Sequence, residues 1–372
     1  MRRLAAPLAT ALVLVACGPA GDDVPRPEVV ASASRREATF LSPESLAWLV
    51  ANQREDGSWS ADDAPPGSPA DAVSATSLAV LAFLDRGYNH RSEAPFGPVV
   101  ARGLRWLKAA QDEDGRFRPR DRDGSLRHDA LATLALVESY GQTGSTLFRT
   151  AATRALAGLV ASGAAGPPES GERRAFSMDA FGWAVDALGR ARSVAAWETK
   201  RGLAVAFQVD DAVLVPARTW LDSPEVASSD DPSTVATRIL VRSSIGHGHG
   251  DLHALRGDVL RLSLHSVTST PEEDLPARVA AIAQAGSRRA GLEAIEVWRP
   301  RGRAWLEAAA HRPDVAPLRG SYDDRGPLSL RTGRVEATAL GAMVEPWLCT
   351  AYLPRFPGTE PVPEPVSEPE DR

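Results

Sequence analysis

The sequence predicts an all-α fold, and three observations carry the prediction. A segment at 45–59, SLAWLVANQREDGSW, returns as GLRWLKAAQDEDGRF at 103–117. Apolar residues follow the helical period along most of 42–356. Strand signals are scarce, with four Tyr in the chain and little period-2 alternation.

The recurring segment has a physical logic. Trp48, Gln53, Asp56 and Gly57 reappear 58 residues later as Trp106, Gln111, Asp114 and Gly115, and Phe117 stands in for Trp59. Self-similarity at a fixed offset marks a repeat architecture. Trp48 is expected to pack between outer helices. Gln53, near a helix C-terminus, is expected to bind orphan carbonyls. Asp56-Gly57 predicts a turn with positive φ at the glycine. Trp59 then pins the loop onto the neighbouring hairpin.

The elements alternate in character. Residues 71–84, DAVSATSLAVLAFL, are apolar on most faces, which predicts a buried helix. Residues 98–111 set Arg102, Arg105 and Lys108 against Leu104, Trp106 and Leu107, which predicts an amphipathic one. Buried stretches follow at 128–140, 179–190 and 233–241, with amphipathic ones at 147–162 and 213–221. Residues 305–310 and 336–352 make the last pair. Alternating outer and inner helices predict an αα-toroid, a ring of about six helical hairpins. The fifth hairpin, around 251–286, is the least well phased.

The Trp-Leu…Gln-x-x-Asp-Gly-x-Trp/Phe pattern resembles the prenyltransferase/squalene-oxidase repeat of the terpenoid cyclases. The first two repeats carry it fully. The third, 156–177, lacks the Gln and the terminal Trp; the fourth keeps Trp220-Leu221; the sixth returns with Trp305-Leu306 and Ser321-Tyr322. The resemblance implies an αα-toroid over roughly 41–356. Class II cyclases of this kind use Asp-x-Asp-Asp, which is absent; Asp121-x-Asp123 is the nearest approach. The class I Asp-Asp-x-x-Asp and the Asp…Cys…His zinc set of protein prenyltransferases are absent too.

The ends read differently. Met1-Arg2-Arg3 is a basic n-region, and 4–16 is an apolar stretch too short to span a bilayer comfortably. It ends in Leu14-Val15-Ala16-Cys17, which looks like a bacterial lipobox with Cys17 as the lipidation site. The expected organisation is a signal peptide at 1–16, a flexible tether at 17–41, the toroid at 42–356 and a Pro/Glu tail at 357–372. Gly18, where inner-membrane retention would want Asp, favours the outer membrane. Net charge of −6 and a pI near 5.7 exclude an electrostatic footprint for nucleic acid. Two cysteines exclude a disulfide framework.

Chemistry has few candidates. Asp71, His128, Asp129, Asp179, Asp231 and Glu336 stand at the starts of buried helices, where ring closure would gather them at one mouth. Most are expected to act as N-caps. Asp129 and Asp179 are the pair that could serve as catalytic acid and base. His247, His249, Asp251 and His253 read as a glycine-rich loop and Asp112-x-Asp114 as a fragment of a calcium loop; neither completes a metal site. Cys349 reads as a small core residue. No metal and no cofactor is expected.

The leading expectation is a cell-envelope lipoprotein that binds an envelope protein or an apolar or glycan ligand without catalysis. The alternative is a toroid enzyme, either a cyclase-like isomerase or a glycan hydrolase or lyase. A filled structural spacer is the third reading. Cys17→Ser should abolish incorporation of labelled fatty acid and leave unprocessed or soluble protein; normal processing and full membrane attachment of that variant would sink the lipoprotein reading.

Overall fold

The computed structural model describes residues 44–60, 69–117, 125–166, 174–245, 249–265, 319, 321–322 and 329–349. All belong to one unit, Phe40–Arg372. Cys17, the segments 1–16 and 17–41, the tail 357–372, His247, Asp121, Asp123 and the helix expected at 305–310 lie outside the described residues.

Among the described residues the fold is all-α. In chain order the helices are α1 (Glu44–Ala51), α2 (Pro69–Asp85), α3 (Phe96–Ala110), α4 (Ser125–Thr143), α5 (Thr146–Ala161), α6 (Arg174–Lys200), α7 (Val215–Asp222), α8 (Pro224–Ala227), α9 (Pro232–Ile245), α10 (His249–His265) and α11 (Ser329–Cys349). An isolated antiparallel bridge joins Gln111 and Phe117.

Buried and amphipathic helices alternate as the sequence predicts. α2, α4, α6, α9 and α11 form the core, with Leu78 and Phe83, Leu131 and Leu136, Phe181 and Leu188, Ile239 and Val241, and Val335 and Val344 all enclosed. α3 buries one stripe, Val99, Val100, Leu104 and Leu107, and α5 buries Phe148, Ala152, Ala155 and Leu159. Each large apolar side chain so enclosed contributes roughly 1.5–3 kcal/mol relative to exposure. The core helices pack in the series α11–α2–α4–α6–α9. α1 lies against α11 and α2, α3 against α2, α5 against α4, and α7 and α10 against α9.

The core helices run parallel, because like ends meet. At their N-terminal ends Arg127 of α4 reaches Asp179 of α6 and Glu336 of α11. At their C-terminal ends Arg86, just past α2, bonds Glu345 of α11 and Gln142 of α4 bonds the Leu84 carbonyl of α2; Ser244, at the end of α9, bonds Asp186 halfway along the longer α6.

The repeat motif is an interhelical staple. Gln53 Nε2 donates to the carbonyls of Gly57 (3.0 Å) and Val99 (3.0 Å), and Gln111 Nε2 to those of Gly115 (3.1 Å) and Ala151 (3.0 Å). Each glutamine therefore ties its own turn to the next flanking helix, α3 or α5. This corrects the expectation that Gln53 serves the orphan carbonyls of its own helix. Trp59 is fully buried and its indole N–H donates to the Leu49 carbonyl at 2.7 Å. Trp106 donates to Asp56 at 3.2 Å, so the acid of one turn holds the aromatic of the following hairpin. Burial pushes the Asp56 carboxyl up, but the Ser58 amide and hydroxyl, Trp106 and Arg54 outweigh it and hold the group below its ordinary value. The third part of the motif repeats as well. The backbone N–H groups of Trp59, Phe117 and Tyr322 are taken by Thr76, Asp129 and Thr338 from the following core helix.

Two other expectations are corrected. Four core helices begin upstream of the predicted starts, at Pro69, Ser125, Arg174 and Pro232, so Asp71, Asp129 and Asp179 stand inside helices and are not N-caps. Asp231 is a true cap, accepting from the Thr234 N–H at 2.8 Å. α11 kinks at Gly333, three residues before Glu336. Residues His249–His253, expected as a glycine-rich loop, instead open the helix α10.

Gly57 and Gly115 hold φ of 93° and 83°, as the turn requires. Close approach adds to this: a Cβ would fall 2.8 Å from the Arg102 carbonyl oxygen at Gly57 and 2.1 Å from that of Arg154 at Gly115. Both obstacles are backbone. Gly115→Ala should cost about 2 kcal/mol or more and Gly57→Ala somewhat less, because positive φ and overlap add. Denaturant titration checks the order; equal and negligible effects would refute the shared turn.

Candidate functional site

Two polar layers cross the core, one at each end of the parallel helices. The N-terminal layer is the mouth that the sequence singled out. Arg127, in the first turn of α4, is buried and donates through Nε to Asp179 (2.7 Å) and through Nη2 to Glu336. A cation in the first turn opposes the helix dipole. Its two carboxylate partners on α6 and α11 compensate, and both are themselves buried. Burial works against the guanidinium's charge, yet Glu336 and then Asp179 hold its pKa above the ordinary arginine range.

Asp129 is also enclosed. Its Oδ1 accepts from the Phe117 N–H (2.8 Å) and its Oδ2 from Arg116 Nε (2.8 Å). Burial raises its pKa, and the Phe117 amide and Arg116 oppose that without cancelling it. The layer therefore gathers Asp129, Asp179 and Glu336, with buried His128 beside Arg127 in the chain, but gives each named acid an arginine from another segment. Asp231 is exposed and serves its own helix; Asp71 is the third residue of α2. Among the described residues no group of three His, Cys, Asp or Glu could hold a metal ion.

The C-terminal layer was not singled out from the sequence. Arg190 of α6 pairs with Glu138 of α4, and Gln142 donates to the same carboxylate at 3.0 Å. Arg86 pairs with Glu345 at 2.6 Å and donates to the Ala342 carbonyl. Tyr140 donates to Glu198 at 2.6 Å. Asp85 is the exception. Part of the residue meets water, but its Oδ2 is enclosed and has no hydrogen-bond partner. Burial, helped by Glu138 and opposed by Arg86 and Arg190, pushes its pKa up to about 7.

Chemically the two ends differ. Each N-terminal acid accepts from an arginine of another segment, which suits bracing of the helices. At the C-terminal end burial pushes the Asp85 carboxyl up to about 7, and burial raises Glu345 as well against the pull of Arg86. Sequence reasoning missed Arg127, Arg116 and Asp85. A charge inside an otherwise apolar stretch, as in Ser125-Leu126-Arg127-His128-Asp129, was the available signal for the first. Asp85 follows its apolar run and looks like an ordinary terminus.

No protein-family model matches the chain, and a comparison with curated proteins finds no match.

Arg127→Leu should destabilise by roughly 3–5 kcal/mol, since it strands two buried carboxylates; a melting temperature within a degree of wild type would show that the bridge is dispensable. Asp85 gives a pH signature. Its folded pKa lies above the unfolded value near 4, so the native state favours the protonated form. That contribution is complete below about pH 4 and is lost as pH rises through about 7. Asp85→Asn should therefore gain stability over wild type by ~1–2 kcal/mol between pH 5 and pH 8, a figure discounted for the residue's partial exposure. A pH-independent difference would contradict the shift.

Proposed function

We propose that this chain is a non-catalytic binding protein of the cell envelope. It is a lipoprotein anchored through Cys17, favouring the outer membrane, and its helices close into an αα-toroid of the prenyltransferase/squalene-oxidase repeat type. It binds an envelope protein or an apolar or glycan ligand. The observation that carries the non-catalytic reading is the occupation of Asp129 and Asp179, the two residues offered as acid and base. Phe117 and Arg116 take both oxygens of the first, and Arg127 holds the second.

Ring closure draws support from Arg127. It joins α6 to α11, which are separated by α2 and α4 in the packing series, as helices curving around one axis would require. The family reading draws support from the matching double hydrogen bonds of Gln53 and Gln111. The anchor rests on Leu14-Val15-Ala16-Cys17. The enzyme reading keeps one observation of its own, the near-neutral titration of Asp85 beside Glu138.

Purified protein would be incubated with a polyprenyl diphosphate and with glycan strands, and Asp129→Asn, Asp179→Asn and Asp85→Asn would be compared with wild type. The expected result is no turnover, with the first two variants melting several degrees lower because Asp129→Asn takes the carboxylate from Arg116 and Asp179→Asn leaves buried Arg127 with Glu336 alone. Turnover lost in any of the three variants at unchanged melting temperature would overturn the non-catalytic reading.

A further inference from the structure

Among the described residues the exposed large apolar side chains concentrate at one end. Among the described residues seven large apolar side chains are exposed. Six of them lie where a core helix hands over to the next flanking helix. Tyr88 follows α2, Leu147 sits in the first turn of α5 just after α4, and Trp197 sits in the last turn of α6. Leu203 and Val205 lie in the extended stretch after α6, and Val215 opens α7. Leu203 and Val215 are each 50% exposed and Leu147 63%. The seventh, Leu260, is within α10. The return connections, from flanking helix to core helix, hold none among the described residues. Since the core helices are parallel, the first kind of connection gathers at their C-terminal ends and the second at their N-terminal ends.

Two further observations concern the same end. The chain enters the first helix there: Ser45 Oγ donates to Glu345, near the C-terminal end of α11, and Arg86 from the end of α2 donates to the same carboxylate. The largest apolar side chain of the set also carries cations. The Arg201 guanidinium lies 4.6 Å from the centroid of the Trp197 ring, and Lys200 precedes it in the chain. Tryptophan with adjoining Arg and Lys suits a membrane interface, where the ring sits at headgroup depth and the cations meet phosphates.

We propose that the C-terminal ends of the core helices form a membrane-docking face, seated on the headgroup and upper acyl region of a phospholipid bilayer. The proposal rests on the lipoprotein reading for its biological setting. The apolar residues are spread over three connections, so they suit a broad deformable surface better than a peptide-sized groove. An anchor supplies the rest. The tether predicted between Cys17 and Glu44 would hold the domain within on the order of 30 Å of the bilayer. At that effective concentration individually weak insertions suffice. The Arg127 layer then faces away from the membrane, toward the aqueous compartment where a ligand or partner arrives.

The test uses the chain from residue 18 onward, which has neither signal segment nor anchor but keeps the whole Phe40–Arg372 unit. It is floated with phosphatidylethanolamine/phosphatidylglycerol vesicles. Leu203→Asp/Val205→Asp is compared with Leu260→Asp as the control off this face, with melting temperatures matched. The expected result is vesicle binding that falls roughly tenfold or more in the double variant and stays unchanged in the control. Absent binding, or equal loss in both variants, overturns the proposal. So does a chain that ignores vesicles but dimerises through Leu203 and Val205, which would assign the face to a second copy. Fatty-acid labelling of the full chain, run separately, reads the anchor: label without vesicle binding keeps the lipoprotein and removes the docking face, and vesicle binding without label does the reverse.

Discussion

Parallel packing of the core helices is the constraint from which the rest follows. Neighbouring parallel helices cannot be joined by a tight turn, so each connection must travel back the length of the domain. The flanking helices α3, α5 and α7 lie on that return, which is why buried and half-buried helices alternate in the chain. Parallel packing also sorts the connections by type. Turns of the Gln-x-x-Asp-Gly kind collect at one end and the stretches after core helices collect at the other.

Each end then meets a different physical demand. At the N-terminal end several helix dipoles point the same way, and carboxylates are favoured there. Three buried acids would repel one another, and Arg127 and Arg116 supply the compensating charge from segments that packing alone would not need to join. Removing an arginine would leave charge stranded in a poorly solvated layer. Such a network fixes which helices meet and in what register. At the C-terminal end the same pairing recurs between Arg190 and Glu138 and between Arg86 and Glu345, but Asp85 is left with an oxygen unmatched. The pairing is thus complete for Asp129 and incomplete for Asp85.

The glutamine staple links the two scales of organisation. One side-chain amide bonds a turn and the next flanking helix together, so the turn's shape and the spacing of hairpins are set by a single group. The glycine in the turn allows the neighbouring backbone to approach within reach of that amide. Asp129 takes up the Phe117 amide that Thr76 handles in the preceding repeat, at the position of Trp59. A hydroxyl acceptor has thus been replaced by a carboxylate, which brings Arg116 with it as a charge partner. The residue that looked most like a catalytic acid is a variant of a structural acceptor.

The sequence by itself determined the helical class, the alternation of core and flanking helices, and the positive φ of Gly57 and Gly115. These depend on period, composition and local sterics, which act within a few residues and leave a trace in the order of the chain. The lipid anchor at Cys17 is a proposal from a short motif that lies outside the described residues. Tertiary structure alone decided the partners. Gln53 turned from its own helix to Val99, Asp129 and Asp179 proved to be acceptors inside helices, and Arg127 found Asp179 and Glu336 across distances of 52 and 209 residues. No local pattern encodes such pairings, because the low dielectric that makes them strong is created by the fold. The same holds for Asp85, whose burial beside Glu138 exists only when the C-terminal ends of α2 and α4 stand side by side.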